Sequence, residues 1–317
     1  MITKLKVYND IKQYALTGKL AQAYLFLSPD KFTNAELLLA LSKLLLCKNG
    51  SACGVCEHCA KINAGTHPDV LVFPKDKNFV VDDASKIYDT VQVKPMLSNK
   101  KIYIINGIDN ATEQAQNKLL KIIEEPPQNV IFLISANTEE KVLSTILSRV
   151  FKHHVEKFDE DVLKMTLNGV EKQTANIAIS FGDGYLGKTL ELASNANFIE
   201  YYKNMKNLIC NLKKSEQIPY FSGYFSKDKT CFEESLKILN DFFRDVLMIK
   251  IDQQQEVKNK DLQFEFLNLS AEYSIQALTK IIENLTQIKK KLDSNVNLTV
   301  LADNLLFDIL EVKFLCK

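Results

Sequence analysis

Five short β-prone runs alternate with helical patterns over the first half of the chain, and this alternation constrains the fold more than any other feature. The runs are Ala23 to Leu27, Val70 to Phe73, Lys101 to Ile105, Val130 to Ser135 and Lys152 to Val155. Between them a helical period covers Asn34 to Leu46, Asp83 to Val91, Thr112 to Glu125 and Glu139 to Leu147. Strands separated by helices predict a parallel sheet covered on both faces, because each crossover lays a helix against it. The helix from Thr112 sets Leu119, Leu120, Ile122 and Ile123 on one stripe and is stopped by Pro126-Pro127.

After about Val155 the strand signals fade. A short helical set covers roughly Asp159 to Asn195, with glycines at 182, 184 and 187 making a turn. Longer amphipathic helices follow at Ile199 to Leu212, Phe232 to Ile251, Ser274 to Lys291 and Leu298 to Phe314. The pattern predicts an α/β domain over 1–155 with an inserted loop at 47–59. A small helical domain over 156–197 and an all-α C-terminal domain over 198–317 follow it.

A chain of 317 residues with 46% hydrophobic and 25% charged residues has the composition of a globular protein, which excludes disordered, collagenous and coiled-coil classes. Even the apolar run Leu37 to Leu46 is interrupted by Lys43, so no membrane-spanning segment is expected. Met1 to Tyr14 has no apolar stretch of the signal-peptide kind, and a cytoplasmic location follows as the expectation. Forty Lys+Arg against 39 Asp+Glu give a net charge of +1, so no overall basic field recruits nucleic acid. Only Arg149 and Arg244 are arginine, and the other 38 basic residues are lysine. In such a chain an arginine stands where its planar fork is needed, or by chance.

Of seven cysteines, four cluster as Cys47, Cys53, Cys56 and Cys59, while Cys210, Cys231 and Cys316 are isolated. Four soft ligands within so short a span suit a closed tetrahedral Zn2+ site, and Asn49-Gly50 and Gly54 let the loop fold round an ion. A redox Cys-x-x-Cys pair is the alternative, and His58 or His67 could replace one cysteine as fourth ligand. A four-ligand site has no open position for substrate, so its expected role is structural; the isolated cysteines read as small buried hydrophobes.

Gly182-Asp-Gly-Tyr-Leu-Gly-Lys-Thr189 fits a phosphate-loop pattern. Its context does not, because a working phosphate loop follows the first strand of a parallel sheet, and here every strand-like run lies upstream. A helix junction with glycine supplying positive φ is the better account. The loop that does follow the first strand, Ser28 to Ala35, lacks glycine and a Lys-Thr pair. Lys101 to Ile105 ends in Asn106-Gly107, where an NTPase wants an acidic pair. The pattern is that of a nucleotide-binding fold without its chemistry.

The run Thr112-Glu-Gln-Ala-Gln-Asn-Lys-Leu-Leu-Lys-Ile-Ile-Glu-Glu-Pro-Pro127 closely resembles the signature of AAA+ clamp-loader subunits. Gly65-Thr-His-Pro-Asp69 after four cysteines resembles bacterial members, those of the DNA polymerase III clamp loader. Thr145-Ile-Leu-Ser-Arg149 resembles the segment ending in the family's Ser-Arg-Cys motif, with Val150 in the cysteine's place. The resemblance implies an AAA+-type domain, a helical lid and a helical collar. A motor subunit of this family keeps a Gly-Lys-Thr, an acidic pair and a lid arginine; here Asn34-Ala35, Asn106-Gly107 and Gly187-Lys188 stand at those places.

The resemblance therefore implies a non-catalytic member that binds no ATP, in a five-subunit ring with motor and delta subunits that loads the sliding clamp onto primed DNA. It assigns Arg149, supported by Ser148, as a finger reaching in trans into a neighbour's ATP site, and puts Asn137-Thr138 at the sensor-1 position. Two other classes stay open. An active clamp-loader ATPase would need Lys188 or Lys31 on phosphate, and a zinc-containing nucleic-acid-binding module would need a basic–aromatic surface near the cysteines.

Overall fold

The strand-forming runs make one fully parallel sheet. In the computed structural model, which describes residues 1–75, 78–292 and 297–315, helix α1 (Lys6–Leu16) leads into β1 (Ala23–Leu27), α2 (Lys31–Leu46) and α3 (Glu57–Asn63). Then come β2 (Val70–Phe73), α4 (Val81–Val91), β3 (Lys101–Ile105), α5 (Glu113–Glu124), β4 (Val130–Ala136), the one-turn α6 (Ser144–Leu147) and β5 (Phe151–His154). The strand order is β2-β3-β4-β1-β5, and every neighbouring pair is parallel.

Every residue of β1, β3 and β4 is buried, which is why these strands read as continuous apolar runs. Alternate side chains, among them Leu25, Tyr103, Ile105, Phe132 and Ile134, pack with Ile87 of α4 and with Leu119, Ile122 and Ile123 of α5. The intervening ones, such as Phe26, Ile104 and Leu133, are buried on the opposite face, where α2 packs on β3 and β4. Burying each such side chain is worth about 1.5–3 kcal/mol, so the central strands anchor the domain.

A buried carboxylate ties the sheet edge to the loop before β3. Asp69 accepts from the N–H groups of Met96 (2.6 Å), Leu97 (2.8 Å) and Ser98 (2.8 Å) and from Ser98 Oγ (3.0 Å). Burial pushes its pKa up, but these donors outweigh burial and hold it below the ordinary carboxylate value. The neighbouring Lys101 is buried too, and its Nζ donates to the carbonyls of Thr90 (3.0 Å) and Val93 (2.9 Å) at the end of α4. Asp69 thus gives the Gly65–Asp69 motif a structural duty.

The chain divides into two compact units, residues 1–165 with 184–188, and residues 166–183 with 189–317. The helices after the sheet are α7 (Glu160–Thr166), α8 (Lys172–Gly182), α9 (Leu186–Ser194), α10 (Ala196–Asn211), α11 (Ile218–Ser222), α12 (Lys229–Lys250), α13 (Gln263–Glu272), α14 (Ile275–Lys291) and α15 (Leu298–Leu315). The second unit is built on an aromatic cluster in which Tyr202 meets Phe181 and Phe242 edge-on, with ring centroids 5.9 and 5.2 Å apart. Arg244 serves this unit, its Nη1 lying 3.2 Å from Oδ1 of the fully buried Asp245. Asp245 also accepts from the N–H groups of Lys258 and Asn259, which ties down the loop before α13.

The structure departs from the expected elements in a few places. The helix expected over Glu139 to Leu147 shrinks to α6, because the buried Gln116 side chain captures its backbone. Nε2 of Gln116 donates to Lys141 O (2.9 Å), and its Oε1 accepts from Leu143 N–H (2.9 Å). Helix α2 begins three residues before the expected Asn34, at Lys31, and β5 begins one residue early. Cys231 is buried and Cys210 half-buried, whereas Cys316 lies outside the described residues. Among the described residues no helix is long and apolar enough to cross a membrane.

Candidate functional site

In an open parallel sheet, ligands bind at the carboxyl ends of the strands, and phosphate sits on the N-terminus of the helix after β1. Here that seat is filled from within. Asp30 caps α2, its Oδ1 accepting from Phe32 N–H (3.1 Å) and Thr33 N–H (3.3 Å) and its Oδ2 from Thr33 Oγ1 (2.6 Å). Asn34 turns back to donate to Ser28 O (2.9 Å). The donors that would meet an anion are already spent on a side-chain anion of the chain.

Gly187 completes the closure. Its N–H donates to Asp30 Oδ2 at 2.7 Å, and a Cβ placed on it would stand 2.3 Å from Asp30 Oδ1 and 2.5 Å from Phe32 Cβ. This glycine serves close backbone approach to Asp30 within the first unit. The rest of its motif makes the expected helix junction: α8 ends at Gly182, Asp183 and Gly184 take positive φ of 55° and 80°, and α9 carries Lys188 exposed and Thr189 buried.

A cavity of about 270 Å³ remains at the strand ends, lined among others by Lys31, Asn34, Asn106, Ser135 and Asn137. Asparagine amides and the Ser135 hydroxyl supply its polar lining beside the apolar Ala35, Pro74 and Ala136. Asn137 Nδ2 donates to Asp109 Oδ2 (2.9 Å), while Thr138 Oγ1 accepts from Glu140 N–H (3.3 Å). Asn106-Gly107 brings no carboxylate; Asp109, two residues further on, is engaged by Asn137. Neither Asp30 nor Asp109 stands out in the sequence, because Gly187 and Asn137, which meet them, lie far along the chain.

The four clustered cysteines converge, with their Sγ atoms all within 4.8 Å of one another. Cys47 Sγ lies 3.6 Å from that of Cys53 and 3.9 Å from that of Cys56. Tetrahedral zinc with bonds near ~2.3 Å requires sulfurs about 3.8 Å apart, so the spacing fits. N–H groups of Cys53 and Cys56 donate to the sulfurs of Cys47 (3.5 Å) and Cys53 (3.4 Å). Positive φ at Gly50 (61°), Ala52 (52°) and Gly54 (75°) curls the loop.

Burial pushes the Cys47 thiol up, but N–H donors from Cys53, Ser51 and Asn49 outweigh it and bring the pKa to about 5. N–H donors from Cys59 and Lys48 lower Cys56 as well. Cys59 is pushed up to about 12, first by burial and then by its thiol neighbours. Four thiolates this close repel one another, and a dication is what lets all four ionise together.

Both histidines stay out of this group. His58 Nδ1 and His67 Nε2 are 2.9 Å apart, and His67 Nδ1 accepts from Asp69 N–H (3.1 Å), so both nitrogens of His67 are occupied.

Arg149 stands two residues past α6, after the C-cap Ser148. Its Nη1 donates to Thr145 O (3.0 Å) and Ser148 Oγ (3.2 Å), and its Nη2 lies 2.8 Å from Glu124 Oε1 at the end of α5. Ser148 Oγ in turn donates to Thr145 O. The next residue, Val150, is buried in the sheet core, so a small apolar side chain suits the place where the motif has cysteine. In the sequence Glu124 is legible only as part of the run over residues 112–127, because its contact with Arg149 joins residues distant in the chain.

The elements are those of an AAA+-type α/β domain followed by an all-α region. A family model described as DNA polymerase III, delta subunit, matches residues 3–159, and one described as the C-terminal part of that subunit matches residues 197–311. The chain is 27% identical over 317 residues to the DNA polymerase III subunit delta' of Bacillus subtilis, covering 96% of this chain and 94% of that protein. It is 28% identical over 190 residues to subunit tau of Escherichia coli, covering 56% of this chain and 30% of that longer protein. Among solved structures, a DNA polymerase III gamma-subunit-related protein from Thermotoga maritima aligns with a TM-score of 0.47 at 18% identity, over 96% of this chain and 99% of its own. The chain belongs to the bacterial DNA polymerase III clamp-loader family, as a subunit of the delta-prime type.

The contact at Gly187 predicts an inverted substitution effect. Within a helix Gly→Ala normally stabilises by up to about 1 kcal/mol. Here Gly187→Ala should destabilise by about 1–3 kcal/mol, because the new methyl overpacks Asp30 and Phe32. Lys188→Ala should stay within about 0.5 kcal/mol. Thermal melts of the two variants decide it, and a Gly187→Ala protein that melts higher than the parent contradicts the packing account.

Proposed function

We propose that this chain is a non-catalytic clamp-loader subunit that lends Arg149 to the ATP site of a neighbouring motor subunit. The observation that carries the reading is the Asp30 carboxylate on the N-terminus of α2, held in place by Gly187. A phosphate placed there would lose the N–H donors and face a negative charge. The motor-subunit reading needs Lys31 or Lys188 on that phosphate, and Asp30 stands against it.

Arg149 supports the other half of the reading. It is a partly exposed, always-charged planar fork just past α6, flanked by Ser148, and its segment resembles the family's finger motif with Val150 in the cysteine's place. Facing the charge that develops on a transferring γ-phosphate, such a fork is worth about 10³–10⁵ in turnover at one site. In this reading the partners are the motor and delta subunits of a five-membered ring, which together carry the sliding clamp to primer-template DNA in the cytoplasm. The division into an AAA+-like domain (1–155), a lid (156–197) and a collar (198–317) belongs to the same proposal.

Cys47, Cys53, Cys56 and Cys59 would hold one Zn2+ as a structural staple between α2 and α3. Binding at such a site contributes on the order of 10 kcal/mol to folding of the segment. Elemental analysis of protein purified without chelator should give about one zinc per chain, and Cys56→Ser should lose it and loosen residues 47–59. Zinc-free protein with four freely reactive thiols contradicts the staple.

The finger is tested in a reconstituted loader. Arg149→Ala and Arg149→Lys should leave folding, zinc content and ring assembly intact while lowering clamp-stimulated ATP hydrolysis by the partner subunits. Hydrolysis and clamp loading at the parent rate in Arg149→Ala rule the finger out.

A further inference from the structure

The Arg149 guanidinium is already gripped within its own chain, and the grip is selective. A guanidinium carries five N–H donors. Three are taken here, by Thr145 O, Ser148 Oγ and Glu124 Oε1. The remaining two, one on Nε and one on Nη2, make no hydrogen bond among the described residues and are open to a phosphate oxygen.

The carboxylate in that grip stands on rigid structure. Glu124 is the last residue of α5, which is stopped by Pro126-Pro127. The stop is pinned by Gln22 Nε2, which donates to Pro126 O (3.3 Å) and Pro127 O (2.7 Å). Helices α5 and α6 pack together, and the buried Gln116 of α5 holds the backbone just before α6. The carboxyl end of α5 also carries the negative pole of its dipole, a second attraction for a cation beside it. A long side chain just past a one-turn helix would otherwise sample many rotamers, and a finger acts only if its geometry is set in advance.

We propose that Glu124 is a positioning residue for Arg149: it fixes the guanidinium against the end of α5 and leaves the two unpaired donors for a neighbouring subunit's phosphate. This rests on the finger reading above and adds to it the residue that sets the finger's geometry.

The test uses the reconstituted loader, with ATP turnover measured per assembled ring in the presence of clamp and primed DNA. Glu124→Gln removes the charge while keeping the shape. Because the pair is partly exposed, the expected loss is about two- to fivefold in kcat with the KM for ATP unchanged. Glu125→Gln, which removes the same charge one residue on, should leave turnover unchanged. In an Arg149→Ala background Glu124→Gln should cause no further loss, because the two residues act as one unit. Unchanged turnover in Glu124→Gln overturns the proposal, and so does raised turnover, which would mean that Glu124 restrains the finger. An equal loss in both backgrounds overturns it as well, marking a merely structural role. Failure of the finger reading is seen separately, as parent-level turnover in Arg149→Ala alone.

Discussion

The whole first unit turns on one carboxylate. Asp30 sits where a parallel α/β fold concentrates its positive backbone potential, at the N-terminus of the helix after the first strand, and it satisfies the donors there with its own oxygens. Gly187 then lays its backbone N–H on the second oxygen. These bonds make the position an internal contact of the first unit. In the proposed reading one anion stands in for another at the nucleotide seat, and the fold keeps its local electrostatic balance without phosphate.

On the proposed reading, such a subunit contributes through shape and through what it presents to neighbours. The sheet edge is braced by Asp69 beneath the loop before β3, and the cysteine loop is drawn together between α2 and α3. Arg149 stands just past α6, where Gln116, Glu124 and the buried Val150 fix its surroundings. Rigid support under one exposed cation is the arrangement expected of a residue that acts on a partner's chemistry.

Much of this was legible in the sequence, for physical reasons. Buried parallel strands must be continuous apolar runs, so the bounds of β1 and β3 are legible from pattern alone, the apolar edge strand β2 is bounded by the turn residues around it, and the cysteine spacing announces the four-thiol cluster. What stayed hidden depends on partners far apart in the chain. Asp30 looks like an ordinary loop residue until Gly187, remote in sequence, meets it, and the glycine motif looks like a phosphate loop for the same reason. The expected helix from Glu139 failed because local periodicity cannot register Gln116 taking the backbone groups of Lys141 and Leu143. Glu124 was read only as part of a family signature, and its contact with Arg149 emerges from the packing of α5 on α6.

The central claim is that the phosphate seat is occupied by the chain itself, and direct titration of the isolated protein with Mg–ATP tests it most simply. Calorimetry should show no binding up to about 1 mM nucleotide, an affinity weaker than roughly −4 kcal/mol. A micromolar dissociation constant, abolished by Lys31→Ala or Lys188→Ala, would contradict the claim and return the chain to the motor subunits.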